Sequence, residues 1–396
     1  MKKVLFLAGM LACSSCGAED LHEEPQFNTP WKRFVGGVTD SAEDVVRNVV
    51  GCGVVTAVSA GVASWWLPGK YVLPVAGALF GVVCALVGYK YRFVEVWNVA
   101  DIGKHVNVVI VVNDDVTSLE GTWQSNAITQ HIHFQGGNRL ERIGAGVFYK
   151  FTNLQSIVIP DGVRSIGDSA FEHCHSLTTI NSHNVEAIGM TAFHDCRSLI
   201  NADLPNIKYI NDGAFRRCTS LTNIASRNVE SIGRFAFEGC KSLTNIILDN
   251  VKIIDDSAFY GCASLTDCNS ARVEAIGKYA FFMCSSLTNI ILGNVKTIGT
   301  YAFYECTSLT NCNSPKVETI GEYAFEWCES LTDLILDNVK TIGMYAFAHC
   351  RSLGNINLPE STQTIGDYAF YDCNLSSVNL PTTAKLGQNV FQKARY

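Results

Sequence analysis

The chain predicts an α/β repeat solenoid with a parallel sheet along one face, preceded by a transmembrane helical hairpin. Three observations carry that expectation. From about Arg139 onward the sequence recurs every 22 residues, with Ile-Gly steps at Ile166, Ile188, Ile232, Ile276, Ile298, Ile320 and Ile342. Each step is followed by a Phe (Phe171, Phe193, Phe237, Phe281, Phe303, Phe325, Phe347), then three residues later by a Cys, and three after that by a Leu. A fixed period of this length with apolar markers is the mark of stacked units that cannot stand alone. The third observation lies upstream, where two charge-free apolar runs flank Pro68-Gly69-Lys70.

Residues 1–18 start with Lys2 and Lys3, run apolar from Val4 to Ala12, and end in small residues, the layout of a secretory signal. Met10-Leu11-Ala12-Cys13 resembles a bacterial lipoprotein box, which makes Cys13 a lipidation candidate. An ordinary cleaved signal and an uncleaved apolar N-terminus remain open. Residues 19–48 are polar, contain Pro25 and Pro30, and read as a tether. The runs Val49–Leu67 and Tyr71–Tyr89 are each near the ~20 residues a helix needs to cross a bilayer. Gly53, Ala57 and Gly61, and Gly77, Gly81 and Ala85, fall four apart, as in packed membrane helices. Residues 49–90 are therefore expected to attach the protein to a membrane. A buried hairpin in a soluble domain is the alternative. The flanking Arg47, Lys90 and Arg92 favour repeats on the cytoplasmic side, whereas a cleaved signal favours the opposite side. Residues 93–140 lack the Phe and Cys markers and contain the strand candidate Val106–Val112, as a cap on the solenoid of residues 141–396 would.

Within one rung, Leu243, Ile246 and Leu248 line the inner side of a short strand, and Val251 and Ile254 suit a second extended piece. Ala258, Phe259 and Cys262 have helical spacing, so Ser257–Cys262 is expected to be a helical or 3₁₀ turn. The pattern Ile-Gly-x-x-Ala-Phe-x-x-Cys-x-x-Leu-x-x-Ile, complete in Ile276, Gly277, Ala280, Phe281, Cys284, Leu287 and Ile290, resembles the BspA-like leucine-rich repeat family. That resemblance implies a leucine-rich repeat fold, a surface-exposed or secreted protein, and in several members adhesion to host or matrix proteins. It implies no catalytic residue. Rungs alternate in two kinds, so Glu186, Lys208, Glu230, Lys252, Glu274, Lys296, Glu318 and Lys340 should form a ladder of alternating sign that holds register.

Composition narrows the function. Charged residues are 17% of the chain and the net charge is −7, so no basic face for nucleic acid is expected. Nine cysteines from Cys174 to Cys350, with Cys373, occupy one repeat position among sixteen in all, which reads as packed thiols. His173, His175, His194 and His349 stand beside that ladder, but residues next to a core position in a helical turn point outward, so no metal site and no cofactor are expected. His131 and His133 read as polar residues on a capping strand. No nucleophile elbow, phosphate loop or zinc-protease motif occurs, which argues against an enzyme and a small-molecule substrate. The candidate protein-binding face is the outward strand stripe Asn245, Ile247, Asp267, Asn269, Asn289, Ile291, Asn311, Asn313, Asp333 and Ile335. A merely soluble sheet surface is the alternative there, and the tyrosine series Tyr279, Tyr301, Tyr323, Tyr345 and Tyr368 is a second candidate. The expected function is a membrane-attached, non-enzymatic protein that presents its solenoid to a protein ligand at a bacterial cell envelope or surface. The alternative is an effector displaying the repeats to a host cytosol, since the bilobed apolar hairpin resembles those of chlamydial inclusion-membrane proteins.

Overall fold

The computed structural model describes residues 62–67, 71–76, 79–85, 92–101, 105–112, 116–121, 129–268 and 272–393. Each repeat makes three runs: a short strand, a second short strand, and a wall of tight turns. The second strands, two residues each, form a continuous parallel ladder of 13 from Ser118–Leu119 to Lys385–Leu386. Their inward residue is in most rungs the Ile before Gly, and Ile166, Ile188, Ile210 and Ile232 pair in flush register. The glycine that follows is demanded by close approach. A Cβ on Gly321 would sit 2.6 Å from the Thr300 nitrogen of the preceding rung, so the backbone there has room only for hydrogen.

The first strands form a ladder beginning with an antiparallel meander, Leu79–Ala85, Arg92–Asp101 and His105–Val112, which His131–Gly136 joins in parallel. The strand expected over Val106–Val112 is thus present. Beyond Asn245–Ile246 the ladder thins to single bridges through Asp267, then resumes at Asn289–Ile291, Asn311–Asn313 and Asp333–Ile335.

Between the sheets and the wall lies a core of identical columns. Phenylalanines from Phe148 to Phe391 stack with neighbouring centroids 5.0–5.6 Å apart. The alternation of rung kinds reaches into this core. Leu204, Leu248, Leu292 and Leu336 are buried at a position where the intervening rungs bury Ser182, Ser226 and Ser314. Ser226 avoids a desolvation cost by donating to the carbonyls of Pro205 and Ile207, both 3.2 Å away.

Two expectations need correction. The α/β class fails because the described residues contain no α-helix. In the wall, Ser257 and Gly261 lie in the left-handed region at φ 56° and 70°, which breaks any helix. Alternate amides then diverge. Phe259 N donates to Ala280 O of the next rung at 2.8 Å, while Tyr260 N donates to Ser257 O of its own turn at 3.1 Å. An α-helix would direct both within its own turn of chain. The wall is therefore a third inter-rung ladder, and its alternating turns put Ala258, Phe259 and Cys262 inward as a helix would have done.

The helical form expected for the hairpin of residues 49–90 is also corrected where residues 62–67, 71–76 and 79–85 are described. Val62–Leu67 and Tyr71–Ala76 are paired antiparallel strands, and Leu79–Ala85 is a third strand. Short apolar runs rich in Val and aromatics satisfy strand and helix alike, and Pro74 is a poor interior helix residue. No helix among the described residues is long and apolar enough to cross a membrane. Residues 1–18, with Cys13, the tether 19–48, and 49–61 lie outside the described residues.

Candidate functional site

The strand face presents two flush columns. Parallel pairing aligns Asn245, Asp267, Asn289, Asn311 and Asp333 in one, and Ile291, Asn313 and Ile335 in the other. Asn245, Asp267, Asn289, Asn311 and Asn313 are exposed and Ile247 is half-buried. Ile291 and Ile335, each the last residue of its strand, are 51% and 42% exposed. Asn269 lies outside the described residues, and Asp333 is placed by its backbone alone. Part of this stripe satisfies itself. Asn311 Nδ2 donates to Asn289 Oδ1 at 3.2 Å, and Thr310 Oγ1 donates to the Thr288 carbonyl of the rung before at 3.1 Å. The amide column is thereby held in one orientation, ready to offer its remaining polar atoms outward. At the start of the ladder His131 Nδ1 lies 2.7 Å from Ser156 Oγ.

The wall opposite carries chemistry that the sequence alone did not reveal. In the early rungs the two residues before the core Cys are acids, histidines and arginines, with Gly239 the exception. Glu172 Oε1 lies 3.1 Å from His194 Nδ1 and 3.6 Å from His173 Nε2. On its other side His173 meets Asp195 Oδ2 at 3.2 Å, and His175 Nε2 reaches the same oxygen at 3.0 Å. Arg197 adds a bidentate pair to Asp195 at 2.8 and 2.9 Å. Burial pushes the Asp195 carboxyl up, but the bonds from Arg197 and His173 outweigh it and hold the group at about 2. The expectation that these histidines would not converge is thus corrected. Each does point away from the core, yet residues 22 apart stack, so position 172 meets 194 and position 173 meets 195.

In the later rungs the same wall is aromatic. Tyr279, Tyr301, Tyr323, Tyr345 and Tyr368 stack with centroids 5.0, 4.6, 5.2 and 4.8 Å apart. A second column, Tyr260, Phe282 and Tyr304, runs beside it at 4.7 and 4.8 Å. All five tyrosines of the first column have φ between 52° and 57°, a conformation that costs a bulky residue on the order of 1–2 kcal/mol.

The model of the BspA type leucine rich repeat region matches residues 141–266, 209–332 and 274–396, with 6 copies. This chain belongs to the BspA type leucine rich repeat family. Among solved structures, this BspA-type chain is similar to a leucine-rich repeat protein from Bacteroides ovatus ATCC 8483, with 25% identity and TM-score 0.51, over 78% of this chain and 92% of that one. It is also similar to a leucine rich cell surface protein from Faecalibacterium prausnitzii A2-165, with 24% identity and TM-score 0.43, over 77% and 94%. No curated protein matches it in sequence. The matching family is a repeat region and not a catalytic one.

The BspA-type repeat also accounts for the thiols. Twelve cysteines from Cys174 to Cys373 are free and buried. Those of the main column donate S–H to the Phe carbonyl of the rung before, as Cys196 does to Phe171 O at 3.1 Å. Burial pushes the Cys174 thiol up to about 12, so it is a packed donor and not a nucleophile. The alternating charges form pairs where they meet, Lys208 with Glu186 and Lys340 with Glu318, each at 2.7 Å. Such solvent-screened pairs add little to stability and act chiefly on register.

Proposed function

We propose that this BspA-type chain is a non-enzymatic, membrane-attached interaction protein that displays its solenoid for protein binding at a bacterial cell surface. The strand face from Asn245 to Ile335 is its contact surface. The observation that carries this reading is the pair of isoleucines, Ile291 and Ile335, exposed beside an ordered amide column. An apolar pair rimmed by oriented hydrogen-bonding groups has the composition of an interface core with its polar rim. Attachment rests on the basic and apolar N-terminal segment and on Cys13, the candidate for lipidation.

Two arms test the reading. Protease shaving of intact cells that express the full chain is expected to remove the repeats; full protection would overturn surface display. Immobilised host and matrix proteins are then presented to the full chain and to Ile291→Glu/Ile335→Glu. Binding is expected to fall at least ~100-fold in the variant, as for loss of anchors worth ~2 kcal/mol or more. A variant that binds every captured protein as tightly as the parent would remove this face from the function.

A further inference from the structure

We propose that Glu172, His173 and His194 form a binding site for a divalent transition-metal ion of zinc type, clamping two adjacent rungs. One ligand atom from each residue lies within 4.8 Å of the other two. The two separations from Glu172 Oε1, 3.1 Å to His194 Nδ1 and 3.6 Å to His173 Nε2, bracket the spacing tetrahedral zinc imposes. Bonds of about 2.0–2.1 Å place neighbouring ligand atoms roughly 3.3 Å apart. Two imidazoles and a carboxylate form a donor set suited to that ion, with a fourth position left for water.

The surroundings orient one of the two histidines, His173, while the second ring nitrogen of His194 is buried without a partner. A histidine that binds metal through one ring nitrogen is ordinarily oriented by a carboxylate on the other. His173 has that partner in Asp195, 3.2 Å from Nδ1, which turns Nε2 toward Glu172. Asp195 is itself buried and pinned by Arg197 and His175, so the outer partner is fixed from behind. The second oxygen of Glu172 faces Thr191 Oγ1 at 3.5 Å, which leaves Oε1 for the histidines. Tyr149 covers His173 edge-on at 5.9 Å and shields one side. Two neighbouring guanidiniums are already engaged, Arg197 by Asp195 and Arg216 by Glu238, each at 2.8 Å.

The choice between the two trios that share His173 follows from charge. His173, His175 and Asp195 also converge, but Arg197 donates to both oxygens of that carboxylate, and a cation entering there would meet the guanidinium. The Glu172 trio has no such competitor on its carboxylate. Because Glu172 and His173 belong to one rung and His194 to the next, a bound ion would resist their separation.

Equilibrium dialysis of the chelator-stripped full chain against zinc sulfate tests this, with cobalt(II) absorption as the report on ligand type. The expected result is one equivalent of zinc that Glu172→Gln and His194→Ala each weaken at least ~100-fold and Asp195→Asn weakens ~10–100-fold. His175→Ala weakens it far less than any of these, since Arg197 still holds both oxygens of Asp195, and circular dichroism shows every variant folded. Cobalt in that equivalent is expected to lack the intense near-ultraviolet band of thiolate ligation, which separates the site from the chain's cysteines. Hydrogen exchange should slow on zinc addition across residues 165–200 and not across the later rungs. The proposal is overturned by an absence of binding, by binding that survives both ligand variants, by a thiolate band, or by loss on His175→Ala in place of Glu172→Gln.

Discussion

The early and late rungs of this solenoid share a backbone and a core yet present opposite chemistry on the turn wall. Phe171 and Phe193 stack at 5.1 Å and Phe281 and Phe303 at 5.2 Å, and the paired left-handed residues recur in both regions. Outside that common frame, residues 172–238 carry ion pairs and histidines, whereas residues 260–371 carry mainly stacked rings, with His349 and Arg351 on Asp372 as the late return of the charged pattern. In a stack, stability is set by what each rung buries against its neighbours. The outward positions before the Cys are freed from that duty, so they can differ without altering the fold. The lesson is that repetition in this protein describes the scaffold, and departures from repetition are where binding chemistry should be sought.

The largest expected effect tests whether the core is truly the same in both regions. Phe193→Ala and Phe281→Ala should each cost ~3–5 kcal/mol, since both rings are wholly buried in a packed column. Hydrogen exchange in increasing urea reads the loss rung by rung, where a single unfolding midpoint would not. Equal losses are expected. A markedly smaller cost at Phe281 would mean that the aromatic wall stabilises its rungs independently, and the division into common core and free surface would fail.

Much of this was legible in the sequence because a 22-residue period ties inward identity to position. Leu243, Ile246 and Leu248, expected on the inner side, are buried, and Asn289 and Ile291, expected on the outward stripe, are exposed. The wall was misread because Ala258, Phe259 and Cys262 have helical spacing, which alternating turns also satisfy. A usable signal was present. Gly213, Gly239 and Gly261 stand where other rungs carry Ser, Thr, His or Tyr, and glycine recurring at such positions marks left-handed backbone. The histidine cluster was hidden for a different reason, since its members meet across rungs and no local window contains both Glu172 and His194. The N-terminal hairpin failed because its apolar runs carry no period that separates strand from helix.

A smaller effect separates the regions by pH. Burial, with help from the nearby Glu305, pushes the Glu326 carboxyl up to about 7. Its folded value is raised above the unfolded one, so the folded chain holds an extra proton between roughly pH 4.5 and 7. Stability is therefore lost as pH rises through that window. Asp195 has the opposite sign: its contribution is present above its ordinary 3.8 and is lost as pH falls toward about 2. Glu326→Gln should stabilise the late rungs by on the order of 1 kcal/mol at pH 8, a value discounted for the group's partial exposure, and change little at pH 4. Denaturation followed at both pH values checks it. Equal effects at the two would show that Glu326 ionises normally.

The smallest effect concerns backbone strain, and it sharpens the contrast most. Tyr323 and Phe235 occupy the same repeat position at φ 57° and 56°. Tyr323 stacks between Tyr301 and Tyr345 at 4.6 and 5.2 Å, while the neighbours of Phe235 in its column are Gly213 and Ser257, which have no ring. Substitution by glycine relieves ~1–2 kcal/mol of left-handed strain at either site. At Tyr323 it also removes two aromatic pairs at ~0.5–1.5 kcal/mol each, together with partly buried surface. Tyr323→Gly is therefore expected to destabilise by about 1 kcal/mol, whereas Phe235→Gly should fall within ~0.5 kcal/mol of the parent or above it. Tyr323→Ala keeps the strain and loses the stack, so it should be the least stable of the three. Urea denaturation ranks them. If Tyr323→Ala proves as stable as Tyr323→Gly, the left-handed backbone costs nothing at this wall, and the stacked tyrosines must owe their place to an external contact.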